Sequence, residues 1–124
     1  MTNNKRDPFH YPVVQKDGSV KNEDVSDLLI YNLKVHGFDA VIHIGGNESH
    51  KISQKLYEKG VNIIGIPKTI NNDLSVTDYT FGFQSAAQTA TEAVDKLVTT
   101  ARSHNRVLIL EVMGRDAGWI ALHA

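Results

Sequence analysis

The sequence predicts an α/β fold, namely a partial doubly wound sheet that is mainly parallel, with three core strands flanked by helices. Short apolar segments that are typical of buried strands alternate with segments in which apolar residues recur at helical spacing. This alternation predicts parallel strands in one sheet, with helices on both of its faces. A chain of 124 residues is large enough for one such core and for one domain at most.

The N-terminal segment, residues 1–20, is expected to form an irregular arm. It carries Pro8 and Pro12, two of the three prolines, and the turn dipeptide Asp17-Gly18. Residues 21–124 are expected to be a piece of a larger α/β domain, because three strands are few for such a sheet. The last helical pattern also stops at the chain end, which favours the same interpretation.

The first half of the α/β region is predicted to contain two helices and two strands. Apolar residues at 25–33 recur at helical spacing, and Gly37 is a natural C-cap for that helix. The first strand is predicted at 39–44 and is followed by a helix at about 48–59, which closes at Gly60. The second strand is predicted at 61–66.

The second half is predicted to begin with the longest helix, at about 79–104, because apolar residues there form a sustained stripe at spacings of three and four. A third strand is predicted at 106–113. Another helix is predicted from Ala117 to the chain end.

The composition argues against several classes of function. Thirteen Lys and Arg residues against 14 Asp and Glu residues give a net charge of −1, so neither nucleic acid nor an anionic membrane is an expected partner. The sequence contains no cysteine, which excludes disulfides and thiolate metal sites. No apolar segment approaches the roughly 18 residues of a membrane-spanning helix. A cytoplasmic protein is therefore expected.

Polar residues follow each predicted strand. The segment Gly45-Gly46-Asn47-Glu48-Ser49 joins the first strand to a helix, 67–73 follows the second strand, and Met113-Gly114-Arg115 ends the third. The carboxyl ends of parallel strands share one edge of a sheet, where α/β proteins bind ligands. Glycine amides at a helix N-terminus favour phosphate, and so does the planar guanidinium of Arg115.

Each segment also has a purely structural interpretation. Paired glycines occur in ordinary strand–helix turns, and an arginine after a strand, such as Arg115, is often only a surface residue. His104 and Arg106 lie near a predicted helix C-terminus, where basic groups are favourable in any case. The histidines lack metal-ligand spacing, so no zinc site is expected.

Four segments taken together resemble phosphofructokinases: GIPKTINNDL at 65–74, TDYTFGF at 77–83, SHNRVLILEVMGR at 103–115 and AGWIALHA at 117–124. The resemblance covers nearly the whole chain, in the family's order and spacing. It implies a fragment of the family's N-terminal α/β domain. The activity it implies is the glycolytic transfer of a phosphoryl group from ATP or pyrophosphate to the 1-hydroxyl of fructose 6-phosphate.

The resemblance also implies roles for individual residues. The substrate-binding positions are Thr69, Ile70, Asn71, Arg106, Met113, Gly114 and Arg115. The positions that bind the phosphate donor are Lys5, Gly46, Asn47, Glu48, Ser49 and Lys68. Asn71, Asp73 and Arg115 occupy catalytic positions. Arg106 matches an arginine that binds the sugar phosphate of a neighbouring subunit, so a homo-oligomer is implied.

Two positions depart from the family's pattern. Where the family has an aspartate as general base, this chain has Asn71, and where it has an aspartate that binds Mg²⁺, this chain has Asn47. An amide cannot accept the sugar's hydroxyl proton, and it offers Mg²⁺ only a neutral oxygen. Losing a general base costs about 10² to 10⁴ in rate. We therefore expect this chain to be inactive on its own.

Two residues bear on the phosphoryl donor. Lys68 and the acidic Glu48 resemble the pyrophosphate-dependent class more than the ATP-dependent class. A lysine can bind the inorganic end of the donor, and a bulky acidic side chain at Glu48 would crowd a nucleotide. Pyrophosphate is therefore the favoured donor.

Three interpretations are open from the sequence. The first is a phosphofructokinase fragment. The second is a non-catalytic relative that binds sugar phosphate or regulates an active subunit, and the third is an α/β oligomerisation module without a ligand. Unpaired strand edges favour self-association, so an oligomer is expected.

Overall fold

The computed structural model describes residues 6–75 and 77–124. The elements in chain order are β1 (Tyr11–Val14), β2 (Val20–Glu23), α1 (Ser26–Val35), β3 (Val41–Gly45), α2 (Asn47–Glu58), β4 (Ile63–Pro67), α3 (Phe83–His104) and α4 (Trp119–His123). β1 and β2 form an antiparallel hairpin, whereas β3 and β4 form a parallel pair. The predicted α/β class is confirmed. Within the described ranges, no helix combines the length and the apolar character needed to cross a membrane.

The chain divides into two compact units. The first comprises the described residues up to His43 together with Glu48–Ile66. The second comprises Ile44–Asn47 and Pro67–Ala124. The polar segments that follow β4 and α3 therefore belong to the second unit. Gly45, the last residue of β3, and Gly46 after it belong to the same unit.

The predicted glycine caps are confirmed. At the end of α1, Gly37 has a φ of +71° and its N–H donates to the Lys34 carbonyl at 3.1 Å. The next amide, that of Phe38, donates to the Leu33 carbonyl at 3.0 Å, which completes a Schellman motif. The same arrangement ends α2 at Gly60, whose φ is +87°. A residue with a Cβ would be strained at either position.

The expectation of an irregular arm is wrong at Tyr11–Val14, which forms β1. The Asp17-Gly18 turn does occur, and it connects β1 to β2 as a hairpin. The backbone N–H of Gln15 donates to the Ser19 carbonyl at 2.8 Å, and Asp17 Oδ1 accepts the Ser19 N–H at 3.0 Å. Pro12 is tolerated because both strands of a two-stranded sheet are edge strands.

The third predicted strand is also wrong, because residues 106–113 belong to no strand of the described chain. Their side chains still alternate as in a strand: Val107 and Ile109 are 93% and 91% exposed, whereas Leu108 and Leu110 are 39% and 37% exposed. A strand needs a neighbouring backbone for its hydrogen bonds. Among the described residues, the backbone of this segment makes one hydrogen bond, from the Arg106 N–H to the Ala101 carbonyl of α3 at 2.9 Å.

The long helix α3 begins at Phe83, four residues after the predicted start at Tyr79. The delay follows from hydrogen bonding of the preceding residues to the end of β4. The Phe81 N–H donates to the Pro67 carbonyl at 2.9 Å, and Phe81 forms a parallel bridge with Lys68. Gly82 then turns the chain into the helix with a φ of +100°.

Each unit has a small buried core. In the second unit, α4 packs against α3 around Phe83, Ala90 and Ile120, with Ala86 and Val112 partly buried beside them. In the first unit, Leu56 of α2 is buried, and Ser26 of α1 is completely buried. The hydroxyl of Ser26 is satisfied because it accepts a hydrogen bond from Lys59 Nζ at 2.6 Å.

Two half-buried histidines pack against each other in the first unit. His43 of β3 is hydrogen-bonded through Nδ1 to the hydroxyl of Ser53 on α2. The ring of His50, also on α2, lies edge-on to that of His43 with centroids 5.8 Å apart. A Cβ added at Gly65 on β4 would lie 2.6 Å from Nδ1 of His50, so glycine leaves the room that this ring occupies. Burial lowers the pKa of His43, and the adjacent His50 lowers it further.

Acid is therefore expected to destabilise the first unit. Because the folded-state pKa of His43 lies below its ordinary value of 6.5, the unfolded chain binds more protons below that pH. The free energy of unfolding should fall as the pH drops below 6.5 and should level off below the folded-state pKa. His43→Asn keeps a hydrogen-bonding group for Ser53 but does not titrate. Urea unfolding over this pH range should show a shallower pH dependence for the variant, and identical slopes would contradict the prediction.

Candidate active site

Two clefts in the second unit are lined by the predicted site residues. The first, which we call the Asn47 cleft, has a volume of about 320 Å³ and is lined by Asn47, Asp73, Arg115, Asp116 and Ala117. The second, the Asn71 cleft, has a volume of about 380 Å³ and is lined by Asn71, Val112, Met113, Gly114, Arg115, Gly118 and Ala121. Arg115 lines both clefts. One predicted donor position, Asn47, and the predicted base position, Asn71, thus line clefts that share one arginine.

The segment after β4 presents two unpaired oxygens. Oδ1 of Asn71 and Oδ1 of Asp73 are buried, and neither has a hydrogen-bond partner in the described part of the protein. A buried acceptor without a partner costs about 1–3 kcal/mol. The backbone N–H of Asn71 donates to the Thr69 hydroxyl at 3.2 Å, which tightens the turn between them. Both oxygens therefore have unused capacity to accept a hydrogen bond or to bind a cation.

Arg115 is held in an unusual backbone conformation. Its φ is +53°, in the left-handed region that residues with a Cβ rarely adopt. The turn around it is closed by the Ala117 N–H, which donates to the Gly114 carbonyl at 3.1 Å. Such strain, of order 1–3 kcal/mol, persists where the surrounding structure enforces it, and it is concentrated at functional sites.

The glycines of the site serve different purposes. A Cβ added at Gly114 would lie 3.3 Å from both Cα and N of Gly118, so this glycine allows the close approach of two backbone segments. A Cβ added at Gly46 would meet the Lys68 carbonyl at 3.6 Å and the Thr69 Cβ at 3.9 Å, which are ordinary contacts. Packing within the protein therefore favours glycine at position 114, where a Cβ would be in tight contact with the Gly118 backbone, and does not require glycine at position 46.

Ile70 and Met113 line a third, apolar groove of about 310 Å³. Its other walls include Ala86 and Ala90 of α3 and the buried Ile120 of α4. Met113 is 70% exposed and Ile70 is 37% exposed. Met113 lines both this groove and the Asn71 cleft, whereas Ile70 lines only the groove.

The other predicted residues are outside the two clefts. Glu48 and Ser49 lie in the first unit, where Glu48 Oε1 pairs with Lys51 Nζ at 2.8 Å. Lys68 is exposed at the end of β4, and Arg106 is exposed after the end of α3. Lys5 lies outside the described residues.

Sequence reasoning missed Asp116, which lines the Asn47 cleft beside Asp73. Its position directly after Arg115, in the turn before a helix, was the available signal. Ala117, Gly118 and Ala121 were missed as well, and small residues in a turn give little indication that they line a cleft.

Two carboxylates and one amide line the Asn47 cleft. Mg²⁺ is commonly held by one or two carboxylates together with substrate phosphates. Asp73 has an unpaired buried oxygen, and Asp116 lines the same cleft, whereas Asn47 supplies a neutral oxygen. Within residues 6–75 and 77–124, no group of three or more His, Cys, Asp or Glu side chains is placed to hold a metal ion. These residues fit a cation that is shared with a bound phosphate.

Comparison with known proteins shows the family of this chain. The profile of the phosphofructokinase family matches residues 13–124. The chain belongs to the phosphofructokinase family. It is 51% identical over 123 residues, 99% of its length, to an ATP-dependent 6-phosphofructokinase 2 of Clostridium perfringens.

Relatives of the other donor class match shorter stretches of the chain at similar or higher identity. The chain is 58% identical over 88 residues, 71% of its length, to a pyrophosphate–fructose 6-phosphate 1-phosphotransferase of Amycolatopsis methanolica. It is 52% identical over 114 residues, 91% of its length, to the enzyme of the same name from Streptomyces coelicolor. The chain spans 34%, 26% and 31% of the lengths of these three relatives, respectively.

Proposed function

We propose that this chain carries a fructose 6-phosphate site of the phosphofructokinase type and binds the sugar phosphate without transferring a phosphoryl group to it. The observation that supports this most directly is the sharing of Arg115 by the two clefts. One cleft contains the position of the general base, and the other contains the positions for the donor and the metal.

The residues of the Asn71 cleft suit a phosphorylated sugar. The guanidinium of Arg115 can donate two parallel hydrogen bonds to a phosphate, which are stronger than those between neutral groups. The unpaired Oδ1 of Asn71 can accept a hydrogen bond from a sugar hydroxyl. The Thr69 hydroxyl accepts the Asn71 N–H and can still donate its own hydrogen to a sugar oxygen.

The two asparagines are the reason to expect no transfer. In phosphoryl transfer, a carboxylate at the position of Asn71 would take the proton of the attacking hydroxyl, and a neutral amide cannot do so. Asp73 and Asp116 would hold Mg²⁺, with Asn47 as a neutral neighbour. When bound, Mg²⁺ neutralises charge on the transferring phosphoryl group. Replacement of carboxylates by amides at 47 and 71 also removes negative charge that would repel a bound phosphate.

We propose pyrophosphate as the phosphoryl donor of the phosphofructokinase type that Lys68 and Glu48 resemble. Lys68 is exposed at the carboxyl end of β4, where a cation can bind an inorganic phosphate. Glu48 is an acidic residue at the start of α2, where a nucleotide would need space.

Turnover and binding together test this function. The purified 124-residue chain should be incubated with fructose 6-phosphate, Mg²⁺ and either pyrophosphate or ATP, and fructose bisphosphate should be measured. Calorimetric titration with fructose 6-phosphate should detect saturable binding in the same preparation. We expect binding without product. Product that depends on fructose 6-phosphate would contradict the claim of inactivity, and absence of binding would contradict the claim of a sugar-phosphate site.

A further inference from the structure

Asn72 lies between Asn71 and Asp73 in sequence, and its side chain makes two hydrogen bonds to the segment 78–80. Its Oδ1 accepts the backbone N–H of Thr80 at 2.9 Å, and its Nδ2 donates to the Asp78 carbonyl at 3.0 Å. Its φ is +52°, in the left-handed region. Asparagine tolerates that conformation better than other residues with a Cβ. Both its backbone and its side chain therefore suit this position.

Thr80 completes the connection from the other side. It is 4% exposed, and its hydroxyl donates to the carbonyl of Thr69 at 2.6 Å. The segment 78–80 is thus bonded to the segment 69–72 at three places, twice through Asn72 and once through Thr80. We call Asn72 and Thr80 the clamp.

The clamp fixes the residues on either side of Asn72. Asn71 lines one cleft and Asp73 lines the other, and each has a buried oxygen without a partner. A free loop would turn such oxygens toward water, because leaving them unpaired is costly. The hydrogen bonds of the clamp oppose that rearrangement. They hold the turn before any ligand is bound, which lowers the entropy that binding must overcome.

We infer that Asn72 and Thr80 are positioning residues for the sugar-phosphate site, which hold Asn71 and Asp73 toward their clefts. This inference rests on the proposed function. Asn72 and Thr80 line neither cleft among the described residues. They act through the backbone of 69–73, without contacting the substrate.

Three substitutions test the clamp. Thr80→Val removes the hydroxyl and keeps the branched shape, whereas Thr80→Ser keeps the hydroxyl and is the matched control. Asn72→Gly keeps access to the left-handed backbone and removes both side-chain hydrogen bonds, while leaving Thr80 intact. It tests the clamp even if Thr80→Val fails to fold. Each variant should be titrated calorimetrically with fructose 6-phosphate at a temperature at which circular dichroism shows it to be folded.

Thr80→Val and Asn72→Gly should weaken binding by about tenfold or more, since small misplacements of binding groups have effects of this size. Thr80→Ser should bind within about twofold of the original chain. A purely structural role would lower Tm in the two disruptive variants and leave Kd unchanged while they are folded. Unchanged Kd values would therefore overturn the inference.

Failure of the proposed function would be recognised separately, by absence of binding to the unmodified chain. The positioning of Asn71 by the clamp can then be tested with the NMR signal of the Asn71 side-chain amide. Thr80→Val and Asn72→Gly should shift that signal, and Thr80→Ser should leave it in place. An Asn71 signal that is the same in all four proteins would overturn the positioning role.

Discussion

Replacing Phe83 with alanine is expected to lower the free energy of unfolding of the second unit by about 3–5 kcal/mol, out of a typical total of about 5–15 kcal/mol. Phe83 is 1% exposed and forms the centre of the core between α3 and α4. Its ring lies edge-on to that of His123, with centroids 5.2 Å apart, and is stacked on Tyr79 at 6.1 Å. Alanine would remove these contacts and leave a cavity.

Phe81 provides the matched control. It is 65% exposed, and its backbone bond to the Pro67 carbonyl does not need the aromatic ring. Phe81→Ala is therefore expected to change stability by about 0.5 kcal/mol or less, as at most exposed positions. Urea unfolding followed by the fluorescence of Trp119 would compare the two variants. Similar losses for Phe81→Ala and Phe83→Ala would show that the core is not organised around Phe83.

Replacing Arg115 with glycine is expected to weaken fructose 6-phosphate binding by about a hundredfold, the effect of losing two charge-assisted hydrogen bonds to a phosphate. Stability should respond differently. Arg115 has a φ of +53°, and glycine adopts that conformation without the strain that a Cβ causes. We therefore expect the variant to be as stable as the original chain, with its loss confined to binding.

Two further variants define the effect of Arg115. Arg115→Lys keeps the charge but not the planar fork, so it should lie between glycine and arginine in affinity. Arg102→Gln removes an exposed arginine from α3, outside both clefts, and should leave affinity unchanged. Calorimetry gives the affinities and thermal unfolding gives the stabilities. Equal losses of affinity for Arg102→Gln and Arg115→Gly would point to a general charge effect and contradict a specific phosphate contact.

The sequence was sufficient to predict the helices and the parallel strands β3 and β4. Helical spacing and the glycines at 37 and 60 predicted α1 and α2 with their ends, because a left-handed cap leaves a clear signal in sequence. The start of α3 was predicted four residues too early, at Tyr79, whereas both the apolar stripe and the helix begin at Phe83. The bonds of Phe81 and Thr80 to the preceding segment decide that boundary, and they depend on tertiary structure.

Strands were less predictable because they depend on partners. The segment 106–113 has the apolar residues of a strand, yet pairing needs a second backbone, which no local pattern supplies. The hairpin of β1 and β2 was missed because prolines were given more weight than the Asp17-Gly18 turn between valines. Motifs assign Asn47, Asn71 and Arg115 to a phosphoryl-transfer site of the family, and this assignment stays a prediction. The structure brings these residues to two clefts that share Arg115. Asp116 and the clamp became visible only in three dimensions.

Ligand-dependent thermal unfolding tests the central claim most directly, namely that the chain binds fructose 6-phosphate at the clefts around Arg115. A ligand that binds only the folded state raises stability by about 2.7 kcal/mol at a hundredfold excess over Kd. We predict a saturable rise in Tm with fructose 6-phosphate and none with fructose. At the same concentrations Arg115→Gly should show a much smaller rise, because a hundredfold weaker affinity leaves the ligand concentration only equal to Kd. An unchanged Tm with fructose 6-phosphate, or the same rise in the Arg115→Gly variant, would contradict the claim.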